Sequence, residues 1–259
     1  MKFGITNVSI MPVRVNSNDR SEMVTQLLFG EIMEVKNVRR NWSLVRNIYD
    51  DYEGWVDTKQ YKEIPEAEAR YLLNSELLFT KEVISHVYDL SSRKELRLVF
   101  GSHLVNYLNG KIKIMTDEFL VRESPLSLKI ITSADAIIEM AKKFLDTPYL
   151  WGGKTPFGVD CSGFTQSVFK VCGIPLKRDA SQQVSQGNTV DFAGDIQPGD
   201  LAFFDNEAGD IIHVGIVIDN KRIIHASGKV RIDILDHNGI FNEEIGDYTH
   251  KLRIIKRYL

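Results

Sequence analysis

The chain has few cysteines and no long apolar run, and both absences limit what it can be. Two cysteines among 259 residues cannot build a disulfide framework, so nothing in the sequence demands an oxidising compartment. Residues 1–15 alternate polar and apolar side chains and contain no apolar stretch like that of a signal peptide. We therefore expect a cytosolic protein that does not bind a membrane, or a cell-envelope protein if a leader has been removed.

Basic residues are also not in excess. The chain has 32 lysines and arginines against 35 aspartates and glutamates, for a formal net charge of -3. Without a basic field, nucleic acid is a poor candidate partner. His86, His103, His237 and His250 have no partner at zinc-ligand spacing, and there is no Cys-x-x-Cys. We expect no metal and no organic cofactor.

The residue pattern changes along the chain. With 43% hydrophobic residues, the chain is long enough for two or three domains. Short strand-like runs separated by turns predict a small barrel over residues 1–62. The predicted strands there cover residues 6–15, 25–29, 32–36, 43–47 and 54–57. Residues 63–130 predict a second barrel, with a possible helix around residues 67–79 and strands at residues 83–88, 96–100, 104–108, 111–115 and 119–121.

Residues 131–259 begin with helical patterns and end with strand-like ones. Thr132 and Asp135 have capping-box spacing, and an apolar stripe follows them. A second helix follows Asp160, and strand-like runs cover residues 201–204, 211–219 and 222–226. The predicted fold class is therefore α+β, with two small all-β barrels over residues 1–62 and 63–130 and an α+β domain over residues 131–259.

The second helix places a single thiol at its start. Apolar residues lie three, seven, ten and eleven positions after Cys161, which marks one buried helix face. Asp160 can cap the helix, and Gly173 followed by Pro175 can end it. A thiol in the first turn faces unpaired backbone N–H groups and the positive end of the helix dipole, which lower its pKa. Asp160 opposes this effect slightly with its own charge.

The alternative is that Cys161 is a small buried hydrophobe, which is the commonest fate of a free cysteine. Cys172, on the apolar face at the far end of the same helix, fits that description, and we predict a structural role for it. A disulfide between the two is not expected. Eleven helical residues separate them by roughly 16 Å, whereas a bridge needs Cα atoms closer than about 7 Å.

Two histidines interrupt apolar strand-like runs downstream. A lone histidine in a strand is more often structural than catalytic, but His213 and His225 have a relation that can be tested. If residues 219–221 form the turn of an antiparallel hairpin, the two side chains share a face as diagonal neighbours. If the turn is residues 220–221 alone, they point to opposite faces. We predict the three-residue turn.

These residues suggest a nucleophile, a base and an orienting group. His213 takes the proton from Cys161, and His225 accepts a hydrogen bond from the other ring nitrogen of His213, which fixes its tautomer. A neutral orienting group suffices for a thiol, because a cysteine and a histidine can form a thiolate and an imidazolium before substrate arrives. The backbone N–H of Cys161 is a candidate oxyanion donor.

Four motifs in this part of the chain resemble a known family, the NlpC-type papain-like cysteine peptidases that act on bacterial cell-wall peptides. The resemblance covers roughly residues 131–259, and the four motifs occur in the family's order. They are Pro148-Tyr149-Leu150-Trp151-Gly152-Gly153, Asp160-Cys161-Ser162-Gly163-Phe164, Gln197-Pro198-Gly199-Asp200-Leu201, and His213-Val214-Gly215-Ile216-Val217 with His225 twelve residues after its histidine.

The resemblance implies cleavage of murein peptides between γ-D-glutamate and the following diamino acid, lysine or diaminopimelate. It also implies that the two barrels are bacterial SH3-like domains, the first of which closes one end of the cleft. Cleavage is then limited to soluble peptides with a free N-terminal L-alanine, releasing L-Ala-γ-D-Glu. The implied substrate-binding residues are Asp179, Glu31 and Tyr52 for the ammonium group and Ser181 and Tyr149 along the cleft.

Other interpretations of these residues stay open. Asp179 could cap a helix, Glu31 could be a solvated strand residue, and Tyr52 could belong to a barrel core. The same thiol could serve a papain-like amidase or acyltransferase. From a different class, the chain could be a wall-binding protein with no catalytic role for Cys161. We expect a monomer, and the sequence does not distinguish lysine from diaminopimelate.

Overall fold

The computed structural model of the protein describes residues 1–122, 126–127 and 133–259. The chain divides into two compact units, Met1–Ile130 and Ile131–Leu259. Within the described ranges, none of the helices has both the length and the apolar character needed to cross a membrane.

The first unit begins with a seven-stranded antiparallel sheet. Its strands are β1 (Lys2–Thr6), β2 (Ile10–Arg14), β3 (Met23–Leu28), β4 (Ile32–Arg39), β5 (Trp42–Asn47), β6 (Glu53–Asp57) and β7 (Tyr61–Ile64). They pair in the order β3-β2-β6-β5-β4-β1-β7. Alternate residues of β5 are buried, as expected of a strand with one face on a core. Strand β7 continues across the boundary predicted at residue 62.

The rest of this unit adds a helix and two further sheets. Helix α1 (Glu66–Leu73) is followed by β8 (Leu78–Phe79), β9 (Ile84–Asp89), β10 (Lys94–Val99), β11 (Lys111–Ile114), β12 (Asp117–Val121) and β13 (Leu126–Ser127). Four strands pair in the order β10-β9-β12-β11, and β13 pairs with β8. One hydrophobic cluster joins the first sheet, α1 and this second sheet, running from Phe3 to Val121. Residues 1–121 therefore contribute to a shared core.

Several element predictions for this unit need correction. The strand predicted over residues 6–15 is two strands, β1 and β2. The helix predicted around residues 67–79 begins at Glu66 and ends at Leu73. The strand predicted over residues 104–108 is wrong. Leu104 and Val105 are buried and Leu108 is exposed, but Asn106 has a φ of 49°, in the left-handed region, so the chain cannot stay extended there.

The second unit places its helices before its sheet. The elements are α2 (Ala134–Lys142), β14 (Lys154–Thr155), β15 (Gly158–Val159), α3 (Cys161–Val171), α4 (Ala180–Gln183) and β16 (Asn188–Thr189). Ser133 caps α2, because its side chain accepts a hydrogen bond from the N–H of Ala136. The cap predicted at Thr132 lies outside the described residues. Cys172 and Gly173, with a φ of 82°, end α3 as the sequence predicts.

The sheet of the second unit consists of β16, β17 (Leu201–Asp205), β18 (Ile211–Val217), β19 (Arg222–Ser227), β20 (Lys229–Leu235), β21 (Gly239–Asn242) and β22 (Asp247–Arg257). The order is β16-β22-β17-β18-β19-β20-β21, and β21 also pairs with β22. Strands β17 to β22 thus close on themselves. Helix α3 contacts β18, which brings the helix start to the strand that carries His213.

Candidate active site

Asp160 holds the start of helix α3. Its side chain accepts a hydrogen bond from the N–H of Gly163 at 2.6 Å and another from the N–H of Gly152 at 2.8 Å. Gly163 has no side chain because an added Cβ would lie 2.2 Å from the carbonyl oxygen of Gly153. Two loops approach each other closely around the first turn of α3. This close approach explains why the two sequence motifs contain this aspartate and these glycines.

Arg178 neutralises this buried aspartate. Its Nη2 lies 2.6 Å from Oδ2 of Asp160, its Nη1 lies 3.0 Å from Oδ1, and Nη1 also donates to Oγ of Ser162. Arg178 is 1% exposed and Asp160 is 5% exposed. Two-point pairing of this kind suits a guanidinium and a carboxylate. No sequence pattern pointed to Arg178, although it stands directly before Asp179.

Cys161 lies in the first turn of α3 and is almost fully buried. Burial raises the pKa of Cys161 to about 12, and the charge of Asp160 acts in the same direction. Backbone hydrogen bonds from Val214 and Ser162 and the charge of Arg178 lower the pKa by less. The expectation that the helix start gives Cys161 a low pKa is therefore wrong for this structure. With substrate absent, the thiol is neutral.

The histidine hairpin has the predicted three-residue turn. Gly215 lies opposite His225 and Val217 lies opposite Ile223, so residues 219–221 connect β18 to β19. The N–H of Ile218 donates to the carbonyl oxygen of Arg222 at 3.0 Å and closes the turn. As expected for diagonal neighbours on one face, Nε2 of His213 lies 2.8 Å from Nδ1 of His225.

Gly215 makes room for this histidine pair. A Cβ at position 215 would lie 2.8 Å from the Cβ of His225 and 2.7 Å from the side chain of Ile223. Any larger residue would push β19 away from β18. The glycine that follows His213 by two positions is thus explained by the close approach of the strands at the site.

The hairpin brings His213 to the nucleophile. The backbone of Val214, the residue directly after His213, hydrogen-bonds to the thiol of Cys161. Burial lowers the pKa of His213 well below its ordinary value, and the neighbouring rings of His225 and His250 lower it further. His213 is therefore a neutral imidazole before substrate binds. It can accept a proton, which is the requirement for a general base.

Two further residues that the sequence argument missed extend this cluster. Oδ2 of Asp233, on β20, lies 2.9 Å from Nε2 of His225. The ring of His250, on β22, stacks on His213 with a centroid separation of 4.1 Å and an angle of 26° between the ring planes. Strands β20 and β22 were not predicted from the sequence, so only the hairpin of β18 and β19 was expected at the site. Extending the same diagonal rule to the next hairpin finds Asp233.

Metal binding by the three histidines is a chemical possibility that the geometry disfavours. Ligand nitrogens of His213, His225 and His250 lie within 4.8 Å of one another. However, imidazole donates to a metal in its ring plane, and the nearly parallel rings of His213 and His250 cannot both aim at one ion without rotating. The hydrogen bond between His213 and His225 also occupies two of the nitrogens. The arrangement is that of a hydrogen-bonded pair covered by a third ring.

The structure places the predicted substrate-binding residues in different surroundings. Tyr149 lies close to the nucleophile. Burial raises the pKa of its hydroxyl to about 12, and the nearby charges of Cys161 and Asp160 raise it further. Asp179 caps α4, and Ser181 is exposed in the first turn of that helix. The helix-cap interpretation therefore describes the local structure of Asp179, which is half-buried.

Glu31 and Tyr52 belong to the first unit. Glu31 is 4% exposed and accepts a hydrogen bond from the N–H of Leu28, so it is not a solvated strand residue. Tyr52 is half-buried, and its N–H donates to Asp50. Their proposed part in binding an ammonium group stays a prediction.

The second unit, with a buried thiol at a helix start facing a histidine hairpin, has the architecture of the papain-like cysteine hydrolases. Residues 146–247 match the model of the NlpC/P60 family, and residues 13–60 match the bacterial dipeptidyl-peptidase SH3 domain. A Bacillus subtilis protein named gamma-D-glutamyl-L-lysine dipeptidyl-peptidase is 34% identical over 218 residues, spanning 78% of this chain and 71% of that protein. The chain belongs to the NlpC/P60 family.

A further relative agrees with this assignment, and a solved structure shows the same fold. A Bacillus cereus protein with the same printed name is 29% identical over 251 residues, covering 87% of this chain and 74% of its own length. The crystal structure of an NlpC/P60 family protein from Bacillus cereus superposes with a TM-score of 0.81 at 21% identity, covering 99% of both chains. The predicted family and α+β fold class, with an SH3-like all-β region before the peptidase domain, are confirmed.

Proposed function

We propose that this protein is a cysteine peptidase that cleaves the bond between γ-D-glutamate and a diamino acid in murein peptides. The observation that carries the proposal is the pairing of Cys161, at the start of α3, with the hydrogen-bonded His213 and His225 on the facing hairpin. The names of the Bacillus subtilis and Bacillus cereus relatives support this substrate class and favour lysine as the diamino acid.

The chemistry follows from the protonation states of the two reacting groups. Burial keeps both the thiol of Cys161 and the imidazole of His213 neutral. Transfer of the thiol proton to His213 creates two opposite charges at short range in a site of low dielectric, where they stabilise each other. The thiolate then attacks the carbonyl carbon of γ-D-glutamate, and the carbonyl oxygen becomes an oxyanion.

The start of the helix can stabilise that oxyanion. The first N–H groups of a helix have no partner within the helix, and the backbone N–H of Cys161 is among them. Collapse of the tetrahedral intermediate breaks the carbon–nitrogen bond, and His213 gives its proton to the leaving amine. Water, deprotonated by His213, then hydrolyses the thioester and regenerates the thiol.

Selection of a free N-terminus requires an acceptor for an ammonium group. Asp179 in the second unit is a carboxylate in the Arg178-Asp179-Ala180-Ser181 segment, and Tyr149 lies near Cys161. We propose that Asp179 binds the ammonium of N-terminal L-alanine while Tyr149 and Ser181 contact the peptide. Glu31 and Tyr52 stay predicted contributors. A monomeric, cytosolic enzyme that recycles soluble peptides is part of the same proposal.

The test is a product assay on L-Ala-γ-D-Glu-L-Lys. We expect release of L-Ala-γ-D-Glu and lysine, with the N-acetylated peptide cleaved at least about tenfold more slowly because an ion pair is lost. The diaminopimelate peptide, assayed in parallel, reports the preference for the diamino acid. Equal cleavage of the free and acetylated peptides would contradict the free-amine requirement. Transfer of the acyl group to an added amine without hydrolysis would favour an acyltransferase.

A further inference from the structure

The hydrogen-bond chain behind His213 does not end at His225. Strand β20 pairs with β19 so that Ile223 lies opposite Asp233 and His225 lies opposite Arg231. Asp233 is therefore the diagonal neighbour of His225, in the same relation that His225 has to His213. Its Oδ2 lies 2.9 Å from Nε2 of His225, and both residues are buried, at 7% and 1% exposure.

This contact determines which nitrogens carry protons. An ionised carboxylate can only accept hydrogen bonds, so Nε2 of His225 must be the protonated nitrogen. In neutral His225, Nδ1 is then an acceptor, and Nε2 of His213, 2.8 Å away, must be the donor. The remaining nitrogen of His213, Nδ1, is left with a free electron pair. It is the nitrogen that can take a proton from Cys161.

Asp233 is itself fixed in place and in charge. Arg231 donates to its Oδ2 from Nε at 2.8 Å and to its Oδ1 from Nη2 at 3.0 Å. Burial raises the pKa of Asp233, but hydrogen bonds from His225 and Arg231 outweigh that effect and leave the pKa below its ordinary value. Arg231 also donates to Glu244 at 2.9 Å. The carboxylate is thus ionised, and two hydrogen bonds from Arg231 hold it in addition to the one from His225.

We propose that Asp233 is a positioning residue of the peptidase, which fixes the tautomers of His225 and His213 and stabilises the positive charge that forms when His213 takes the proton of Cys161. The proposal rests on the proposed function only in assigning Cys161 as nucleophile and His213 as base. The sequence resemblance stopped at three residues, and Asp233 adds a fourth that does not touch the substrate.

The pair of His213 and His225 is surrounded by the following charged and titratable groups. His213 faces His225 and His250, and His225 faces Asp233 and His250. Burial lowers the pKa of His250 to about 4, so this ring is neutral near pH 7 and adds no competing charge. Beyond Asp233 lie Arg231 and Glu244. Asp233 is therefore the carboxylate hydrogen-bonded to the histidine pair.

The first experiment needs no substrate and no variant of the site. Long-range proton–nitrogen NMR spectra of ¹⁵N-histidine-labelled protein at neutral pH distinguish the two imidazole tautomers. We expect Nε2–H for both His225 and His213. A His225 signal of the Nδ1–H tautomer in the wild-type protein would overturn the proposal.

The second experiment measures the reactivity of the thiol. In a Cys172→Ala background, the rate of iodoacetamide alkylation reports formation of the Cys161 thiolate as a function of pH. Loss of the carboxylate removes an interaction that favours the protonated histidine, so Asp233→Ala should lower the fraction of Cys161 thiolate paired with protonated His213. The alkylation rate near pH 7 should fall with it, by at least about tenfold. The kcat of this variant should fall by about 10²-fold, with KM changed less than about threefold.

Asp219→Asn is the matched control. Asp219 also forms a carboxylate–arginine pair, with Arg222, on the same hairpin, but it is partly exposed, and its other hydrogen bond comes from the N–H of Lys221. Its alkylation rate near pH 7 and its kcat should match the wild type. Asp233→Asn, which keeps the side-chain volume, serves where Asp233→Ala fails to fold, and it should show the same loss of alkylation rate. An unchanged alkylation rate near pH 7 in a folded Asp233 variant would refute the proposal.

The two proposals fail in different ways. If alkylation depends on Asp233 as expected but no murein peptide is cleaved, the proposed substrate is wrong and the positioning role stands. If the wild type cleaves the peptide and Asp233 variants match it in kcat and in alkylation, the positioning role is wrong and the peptidase stands.

Discussion

The two ends of helix α3 carry the two cysteines of the chain, and they differ less in burial than in their neighbours. Cys161 is 7% exposed and Cys172 is fully buried, and burial raises the pKa of each to about 12. At the first end lie Asp160, Arg178, Tyr149 and the histidine hairpin. At the other, Glu139 adds to the effect of burial. Burial alone therefore does not decide which thiol reacts. The base beside it does.

The largest expected effect tests that statement directly. Cys161→Ala removes the nucleophile and should lower kcat for L-Ala-γ-D-Glu-L-Lys by at least about 10⁴-fold. Cys172→Ala removes an equally buried thiol and should leave kcat within about twofold of the wild type. Steady-state release of lysine measures both.

Two other outcomes would contradict this difference in reactivity between the two thiols. Retained function in Cys161→Ala would favour a wall-binding protein in which the thiol is only a buried hydrophobe. Binding of the variant to insoluble sacculi without any cleavage by the wild type would support that interpretation. Loss of activity in Cys172→Ala with an unchanged melting temperature would show that the far end of the helix matters to the chemistry.

The next effect concerns the ion pair that distinguishes the reactive end. Arg178→Met leaves Asp160 buried without its cation, and we expect the free energy of unfolding to fall by about 3–5 kcal/mol. Urea denaturation monitored by tryptophan fluorescence measures the loss. The double variant Asp160→Asn with Arg178→Met should regain part of it, because no unpaired charge remains.

Arg222→Met is the control for this prediction. Arg222 pairs with Asp219 at 2.6 Å, but its side chain is 59% exposed. An exposed pair contributes at most about 1 kcal/mol. If both arginine variants lost the same free energy of unfolding, burial would not determine how much the ion pair at the start of α3 stabilises the protein.

The sequence predicts the reactive end of this helix well because the determinants there are local. The cap at Asp160, the stop at Gly173 and the apolar face follow from spacing along one element. The relation of His213 to His225 follows from the parity of one hairpin turn, which the structure bears out. Local periodicity and turn length carry such information without reference to distant parts of the chain.

The remaining parts of the site depend on contacts that spacing does not encode. Arg178 reaches Asp160 from eighteen residues away because a loop folds back on the helix start. His250 stacks on His213 only because β22 pairs with β17 at one edge and with β21 at the other. The pKa of Cys161 was predicted in the wrong direction for the same reason. The effect of the helix dipole is local, whereas burial is a property of the whole unit.

The smallest expected effect tests the similarity of the two thiols. Folding raises the pKa of Cys172 from its ordinary 9.0 to about 12, so the folded protein keeps this proton between those values while the unfolded chain loses it. The stability that this thiol contributes is complete below pH 9 and falls as pH rises toward 12, by about 1.4 kcal/mol per pH unit.

Cys172→Ala should therefore flatten the decline of unfolding free energy between about pH 9 and pH 11 by that slope, measured by urea denaturation in the presence of a reductant. Cys161→Ala should flatten it equally, because burial raises both pKa values to about 12. Buried tyrosines such as Tyr61, whose pKa burial also raises, add to the decline in every variant and cancel in the comparison. A smaller change for Cys161→Ala would mean that its thiol already shares its proton with His213 in the free enzyme, and that the two ends of α3 differ in protonation as well as in neighbours.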